Sequence, residues 1–360
     1  MQSLTTSYKV TCFRDVCAAY PTWDVLRSHL EFDLGLIVCS DAADSSLCII
    51  RYDKKKPVTE ENRWWRSVVW DTAVNRPVCV APPKTSSGPM PASDGLVQQE
   101  YLDGFMINGW LDSSGTVRLA TRSSIGATGT FYSRRSFADL FKDAVGDRSL
   151  CDLVGGGFAS FHCQHAENRC VTPVAEPRLW RIHHGSVDVD GTVTIVEDLT
   201  GELAPTPAAA DTATSWKIQG TIYRDGTGGR WRIRNPAYQM VRSMRGNQAR
   251  ADVRFAQLRQ QRMIDTYLFY YPEETEQFKK YEGTVGLIIQ NIYEAYVAVH
   301  IRHEKKLGDI DSMYRPHVYS LHTHYLGELK PRGYFIRSKE VTDYIGQLPW
   351  QRLVFLMTRA

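Results

Sequence analysis

The chain has 360 residues and a mass of 40.9 kDa, enough for one large hydrophobic core or for two domains. Hydrophobic residues make up 43 %, aromatic residues 11 % and charged residues 23 %, so the composition excludes whole-chain disorder and a fibrous repeat. The formal net charge of +3 is too small to indicate a nucleic-acid-binding protein by itself. The positions of the basic residues are therefore more informative than their number.

The sequence contains no signal for a membrane or for secretion. No stretch approaches the roughly 18 consecutive apolar residues of a membrane span, and residues 1–20 contain neither an apolar run nor a small-residue cleavage site. The eight cysteines are scattered and form no C-x-x-C pair, which favours reduced core thiols over a zinc site. We therefore expect a soluble intracellular protein.

Up to about residue 245, short runs rich in Val, Ile, Phe, Tyr and Trp alternate with clusters of Gly, Pro, Asp and Ser, a pattern typical of strands joined by turns. The predicted strands are LCIIRY (47–52), RSVVW (66–70), PVCVA (77–81), FMINGWLD (105–112), VRLATRS (117–123), FASFHCQH (158–165), RLWRIHHG (178–185), VTIVEDL (193–199), WKIQGTIYRD (216–225) and RWRIRN (230–235). Apolar residues three to four apart predict short helices at 22–29 and 137–145. The polar, Pro-rich segments 82–97 and 201–214 are predicted to be loops.

The pattern changes after the RGN sequence at 245–247. The segments VRFAQLRQQRMIDTYLFYY (253–271) and TVGLIIQNIYEAYVAVHIRHEKK (284–306) have helical periodicity and few turn residues. We therefore predict an α+β domain at 1–248, followed by an all-helical domain at 249–360.

Five blocks, taken in order, resemble the motifs of the covalent nucleotidyltransferase superfamily, which contains RNA ligases, DNA ligases and capping enzymes. The blocks are RSVVW (66–70), VCVAPPK (78–84), EYLDGFMIN (100–108) with LATRSSIG (119–126), FHCQHAENRCV (161–171) and IQGTIYRDGTGGRWRIRNPAYQMVR (218–242). The sequence is most similar to phage RNA ligases of the tRNA-repair type and to ligase-like proteins of large DNA viruses. The resemblance covers about residues 60–245 and implies an ATP-grasp-like nucleotidyltransferase domain of antiparallel sheets. The helical domain would then stand in the place of the family's RNA-recognition domain.

The family's reaction explains which residue types to look for. A lysine in a K-x-D-G turn attacks the α-phosphate of ATP, the AMP moves to an RNA 5′-phosphate, and a 3′-hydroxyl then displaces it. The resemblance therefore implies ATP and Mg²⁺ as cofactors and RNA as the partner, such as tRNA or a nicked strand. A viral source, and with it the host cytoplasm, is implied only by this resemblance.

The chain departs from the family at the nucleophilic lysine and at two glutamates, and it has Arg232 and Arg234 where the family has paired lysines. Tyr101 stands where the nucleophilic lysine is expected, although Asp103 and Gly104 match the rest of that turn. His162 and Gln219 replace glutamates, and neither supplies the anionic oxygen that Mg²⁺ prefers. No metal ligand is predicted, and the histidine pairs 300/303 and 322/324 lack a third ligand.

The candidate site residues follow from the resemblance. The catalytic candidates are Lys84, Tyr101 and Asp103. The nucleotide-binding candidates are Arg66, Lys84, Gly104, Arg122, His162, Gln219, Gly220, Arg232 and Arg234. Lys84 has three interpretations, which are a displaced nucleophile, a phosphate clamp and a solvated loop lysine.

Arginine is concentrated between residues 224 and 262, a segment that contains ten arginines and two aspartates. Such a stripe, interleaved with aromatic residues, could follow a phosphate backbone. We take Arg242, Arg245, Arg250 and Arg254 as the candidate RNA contacts. The alternative is a solvated helix face with acidic partners elsewhere in the chain.

Two functions stay open at this point, together with a purely structural role. The first is an ATP-dependent RNA ligase in which Lys84 or Tyr101 carries the adenylate. The second is a pseudo-ligase that binds RNA or a nucleotide and has lost the covalent step, since the lysine and both glutamates are absent together. The sequence does not indicate the oligomeric state.

Overall fold

The computed structural model describes residues 5–91, 95–198 and 215–360. Its contacts divide the chain into two compact units, Met1–Arg242 and Ser243–Ala360. Within the described residues, the first unit combines antiparallel sheets with short helices, and the second contains helices only. The predicted α+β class with a helical C-terminal region is therefore confirmed. The predicted loop at 201–214 lies outside the described residues.

The strands of the described residues all lie in the first unit. They are β1 (Thr5–Val10), β2 (Leu36–Ser40), β3 (Leu47–Tyr52), β4 (Val68–Asp71), β5 (Arg76–Val80), β6 (Val97–Glu100), β7 (Phe105–Leu111), β8 (Val117–Ala120), β9 (Phe158–Gln164), β10 (Arg178–Val187), β11 (Val193–Asp198), β12 (Gly220–Arg224) and β13 (Arg230–Arg234). They form a six-stranded sheet in the order β1-β11-β10-β9-β7-β8, a four-stranded sheet β2-β3-β4-β5 and a three-stranded sheet β13-β12-β6. Neighbouring strands are antiparallel throughout.

The longest of the described helices lies in the second unit. They are α1 (Cys12–Ala19), α2 (Trp23–Ser28), α3 (Phe137–Val145), α4 (Leu150–Val154), α5 (Pro236–Arg245), α6 (Ala251–Gln260), α7 (Ile264–Tyr270), α8 (Thr275–Tyr296), α9 (Arg315–His324), α10 (Ser338–Gln347) and α11 (Trp350–Met357). None of these helices has the length and apolarity that a membrane span requires.

Each predicted strand segment contains a strand, but the boundaries of other elements differ from the prediction. The helix predicted over 253–271 is two helices, because Arg262 adopts the left-handed conformation (φ 58°) between α6 and α7. Strand β6 begins at the end of the predicted loop 82–97. Strand β1 has alternating half-buried and exposed residues and few β-branched apolar ones, so its sequence carried little signal.

The larger core of the first unit contains the inner face of the four-stranded sheet. Trp65 and Trp70 are almost fully buried there, and Phe13 of α1 meets Trp65 edge to face at 5.0 Å between ring centroids. Trp64 is also buried, so both rings of the Trp64–Trp65 pair pack in this core. A second core lies between α3, α4 and strands β7 and β9.

His183 connects two sheets of the first unit. It lies on β10, is 1 % exposed, and its Nε2 atom is 2.8 Å from the carbonyl oxygen of Val80 at the end of β5. Burial lowers the pKa of His183 to about 3, so the ring is neutral at physiological pH and donates this hydrogen bond as a neutral group. The bond fixes the six-stranded sheet against the four-stranded sheet.

Two buried arginines of the second unit share one carboxylate. Arg254 donates hydrogen bonds of 2.9 and 2.8 Å to the two oxygens of Glu274, and Arg245 lies 3.1 Å from Oε1. The Tyr267 hydroxyl donates a further bond of 3.0 Å to Oε2. The arginine side chains are 4 % and 6 % exposed, so their guanidinium groups are turned inward and not towards a surface phosphate. Counting arginines did not reveal this partner, and the RNA contacts expected of Arg245 and Arg254 stay a prediction.

Replacing Glu274 by glutamine removes the carboxylate and leaves two buried cations without their counter-charge. We expect the free energy of unfolding of the second unit to fall by about 3–5 kcal/mol. Hydrogen exchange of the slowest amides of α6 and α8, measured on the full chain, checks this. The matched control is Glu276→Gln, which breaks an exposed pair with Lys279 and should leave exchange unchanged. Equal protection in both variants would contradict a stabilising role for Glu274.

Candidate anion-binding site

A cavity of about 250 Å³, here called the first cavity, lies in the first unit. Its walls include residues of β6, β12 and β13 from the three-stranded sheet and of β9 and β10 from the six-stranded sheet. Two lining residues carry carboxyl groups, Glu100 and Asp103. Seven are basic: Arg66, Lys84, Arg181, Arg224, Arg230, Arg232 and Arg242. The cavity therefore has a large excess of positive charge.

The β12–β13 hairpin places three of these arginines together. Its turn is held by Asp225, whose Oδ1 atom accepts the N–H groups of Thr227 and Gly229 at 2.8 Å each. The register pairs Arg224 with Arg230 across the hairpin. Because side chains two residues apart in a strand share a face, Arg230 and Arg232 point to the same side.

Arg224 and Arg230 share a single buried carboxylate. Glu197 lies 3.8 Å from Nη1 of Arg224 and 4.0 Å from Nη1 of Arg230, and its side chain is 0 % exposed. The Tyr8 hydroxyl donates to Glu197 at 3.2 Å, and burial together with that carboxylate raises the pKa of Tyr8 well above its usual range. The Nε and Nη1 atoms of Arg230 have no hydrogen-bond partner among the described residues. A positive group with unused donors is thus held at the cavity wall.

Arg66 and Arg122 have different surroundings. Arg66 lines the cavity, and its pKa is lowered by burial and by the neighbouring charges of Arg230 and Arg122. It nevertheless stays ionised, since a guanidinium group is effectively always protonated in proteins. Arg122 does not line the cavity: it donates to the carbonyl oxygen of Tyr52 at 3.0 Å and lies over that ring.

In the YLDG turn, the fold itself requires two residues, Asp103 and Gly104. The Oδ2 atom of Asp103 accepts the backbone N–H groups of Val171 and Thr172, both at 2.8 Å, and this side chain is buried. Gly104 has φ +147°, and a Cβ atom there would lie 2.3 Å from the carbonyl oxygen of Cys163. Asp103 therefore fastens the turn to the following loop, which is a different task from the catalytic one predicted for it.

Three departures from the family motifs line the cavity and replace the family's nucleophile and two glutamates. They are Tyr101, His162 and Gln219. Burial lowers the pKa of His162, which keeps the ring neutral. One oxygen of Asp103 is occupied by backbone donors, and the described residues contain no group of three or more His, Cys, Asp or Glu side chains placed to hold a metal. The cavity thus offers Mg²⁺ fewer free carboxylate oxygens than the family motifs would, since His162 and Gln219 stand in place of glutamates.

The structure brings most of the predicted site residues together. Arg66, Lys84, Tyr101, Asp103, Gly104, His162, Gln219, Arg232 and Arg242 line the first cavity. Gly220 and Arg234 do not: they face each other at the far end of the hairpin. In the second unit Arg250 is exposed and pairs with Asp252.

Sequence reasoning missed several lining residues, above all Arg181, Arg224 and Arg230. Arg224 and Arg230 were seen only as members of the arginine stripe. The signal that could have found them is the hairpin itself, since two strands joined by the turn DGTGG place residues 224 and 230 opposite each other.

No protein-family model matches the sequence, and no curated protein matches it. Two solved structures, described as archaeal ATP-dependent RNA ligase in form 1 and form 2, are similar in fold. Form 1 is 12 % identical, with a TM-score of 0.37 over 75 % of this chain and 74 % of that chain. Form 2 is 11 % identical, with a TM-score of 0.39 over 74 % of each chain. This likeness concerns the fold alone and assigns no role to any residue of the cavity.

Glu100 makes the cavity's anion affinity depend on pH. Burial raises its pKa, an effect partly offset by Arg178, so the neutral acid persists to a higher pH than in water. An anion binds better beside the neutral acid, so affinity for inorganic pyrophosphate should fall as pH rises through this pKa. Glu100→Gln should bind about tenfold more tightly above the pKa and lose this dependence.

Isothermal titration from pH 5 to 8 measures this effect. The titration of pyrophosphate itself affects both proteins equally, so it cancels in the ratio of variant to wild-type affinity at each pH. Glu176→Gln removes an exposed carboxylate outside the cavity and is the control. A ratio that does not change with pH would contradict the assignment.

Proposed function

We propose that the first unit is a ligase-like binding module that holds the phosphate groups of a nucleotide or of an RNA 5′ end in the first cavity, without a covalent nucleotide intermediate. The observation that carries this proposal is the ratio of seven basic side chains to two carboxyl groups around a cavity of about 250 Å³. A cluster with this excess of positive charge is stabilised by an anionic ligand.

The arginines that line the cavity support a phosphate ligand in particular. Nε of Arg232, like Nε and Nη1 of Arg230, is buried without a hydrogen-bond partner in the described residues. Because these atoms are closed off from solvent, a phosphate in the cavity would instead be held by the guanidinium charges of Arg230 and Arg232, which both line it. The planar fork of arginine also matches phosphate geometry better than a lysine ammonium does.

The residues at the reacting positions support binding without covalent transfer. Tyr101 cannot form the phosphoramidate of the family's cycle, because its nucleophile is a phenol oxygen. His162 and Gln219 are neutral, and Asp103 is hydrogen bonded to the backbone. Cations for phosphate binding are therefore kept while the groups for metal-assisted transfer are not.

A second candidate function is ATP-dependent RNA joining, and the position of Lys84 favours it. Lys84 is exposed, lines the first cavity, and has no hydrogen-bond or ion-pair partner among the described residues. A lysine in that place could attack the α-phosphate of bound ATP if it loses its proton. A role in RNA repair and a viral source stay implications of the motif resemblance.

Arg232→Gln should weaken binding of both pyrophosphate and 5′-phosphorylated RNA at least about tenfold, because it removes a cation and its donors from the cavity. Arg234→Gln is the matched control: it lies on the same strand, is exposed and does not line the cavity. Titration calorimetry on the full chain at 50 and 200 mM salt gives the affinities, which should fall steeply as salt rises. Equal losses in the two variants, or no binding by the wild type, would refute the site.

Incubation with ATP labelled at the α-phosphate, with Mg²⁺ or Mn²⁺, separates the two functions. We expect no label on the denatured protein. An acid-labile label that disappears in Lys84→Ala would establish the ligase function and overturn the binding module. A label lost in Tyr101→Phe and stable to acid would show instead that the phenol carries the nucleotide.

A further inference from the structure

A second cavity, of about 360 Å³, adjoins the first. The two share Lys84, Thr85 and Arg230 among their lining residues. Both belong to the first unit, so the shared residues form a boundary within one compact body. The second cavity therefore lies directly beyond Lys84, Thr85 and Arg230 as seen from the first.

The wall between the cavities is held by backbone hydrogen bonds. The N–H of Ser86 donates to the carbonyl oxygen of Arg230 at 2.8 Å, and the N–H of Arg232 donates to that of Ser86 at 2.9 Å. These bonds attach the segment after Lys84 to β13 as a short parallel bridge. The glycines of the hairpin turn allow close packing, since a Cβ atom at Gly229 would lie 2.5 Å from the Trp231 ring. The wall of the second cavity is thus formed in part by hydrogen bonds and packing of the hairpin.

The lining of the second cavity suits a nucleotide. Lys84 and Arg230 supply positive charge, and the only acidic lining residue, Glu60, is paired with Arg63 at 3.2 Å with its side chain 86 % exposed. Ser86 and Ser87 add hydroxyl groups. Trp231 is half-buried and lines the same space, so its ring offers a surface on which a base can stack.

The sizes of the cavities also favour a ligand that spans both. Sites for drug-sized ligands usually have volumes of about 300–1,000 Å³. The first cavity alone, at about 250 Å³, is smaller than this range, and the second, at about 360 Å³, is near its lower end. Only the two together provide ample room for two linked nucleoside phosphates.

We infer that the second cavity binds the second nucleotide of a single-stranded oligonucleotide whose 5′-phosphate occupies the first cavity. This inference rests on the proposed function. The chemistry recognised is a phosphate followed by a second base, which Lys84 and Trp231 would contact. A dinucleoside polyphosphate offers the same chemistry as a small molecule, and the experiment below separates it from a strand.

The test compares 5′-phosphorylated oligouridylates of one to four nucleotides with a dinucleoside tetraphosphate, by titration calorimetry on the full chain. The dinucleotide should bind at least about tenfold more tightly than the mononucleotide, with smaller gains at greater length. Ser87→Glu should remove that gain and leave mononucleotide affinity unchanged, because Ser87 is exposed and lines only the second cavity. Trp231→Ala should have the same selective effect, and Ser87→Gln controls for side-chain size.

The outcomes distinguish this inference from the proposed function. Mononucleotide binding with no gain at two nucleotides, or an equal loss for both ligands in Ser87→Glu, overturns the second subsite and leaves the first cavity intact. A gain seen with the tetraphosphate but not with the dinucleotide overturns the assignment to a strand. If the wild type binds neither mononucleotide nor pyrophosphate, the proposed function fails, and this inference fails with it.

Discussion

The positive charge of the first cavity depends on how two of its arginines contact one buried carboxylate. Arg224 and Arg230 lie 3.8 and 4.0 Å from Glu197, beyond hydrogen-bonding distance. The second unit has the same stoichiometry in a different geometry, since Arg245 and Arg254 contact Glu274 at 2.8–3.1 Å. A carboxylate that accepts short, bidentate bonds satisfies its partners and acts as a clamp. A carboxylate at about 4 Å keeps its two arginines at the cavity wall without forming short hydrogen bonds to them.

The YLDG turn shows that agreement with a motif can have a purely structural cause. Asp103 fastens the turn to residues 171 and 172, and only glycine fits at position 104, so both serve the fold whatever happens at position 101. At Tyr101 the corresponding structural contact is one backbone hydrogen bond, which its N–H donates to the carbonyl oxygen of Gly220. Agreement with a motif at Asp103 and Gly104 is therefore evidence about the backbone, while the side chain at 101 is evidence about the chemistry.

The sequence was most informative where local pattern decides structure. Runs of Val, Ile and aromatic residues predicted the strands, because alternation and β-propensity act over a few neighbours.

The sequence was least informative about buried charge. Arg254 and Glu274 are 20 residues apart, and no local pattern reveals that they pair. Counting arginines treated Arg245 and Arg254 as surface cations and gave Arg224 and Arg230 no separate role, although only the latter two line the first cavity. The motif resemblance did better, because it used residues that the fold brings together from distant strands.

The charge of the first cavity also explains why its cations are almost all arginine. Six of the seven basic lining residues are Arg, and Lys84, the exception, is exposed. A buried lysine can relieve repulsion from its neighbours by losing its proton, whereas arginine cannot, so a cluster of arginines stays fully charged when empty. The repulsion among them lowers the stability of the empty unit and is relieved when an anion enters. Ligand binding is then coupled to stability through mass action. The same arginines are poor acids in proton transfer, so a cavity built mainly from them is better suited to holding phosphate than to moving it.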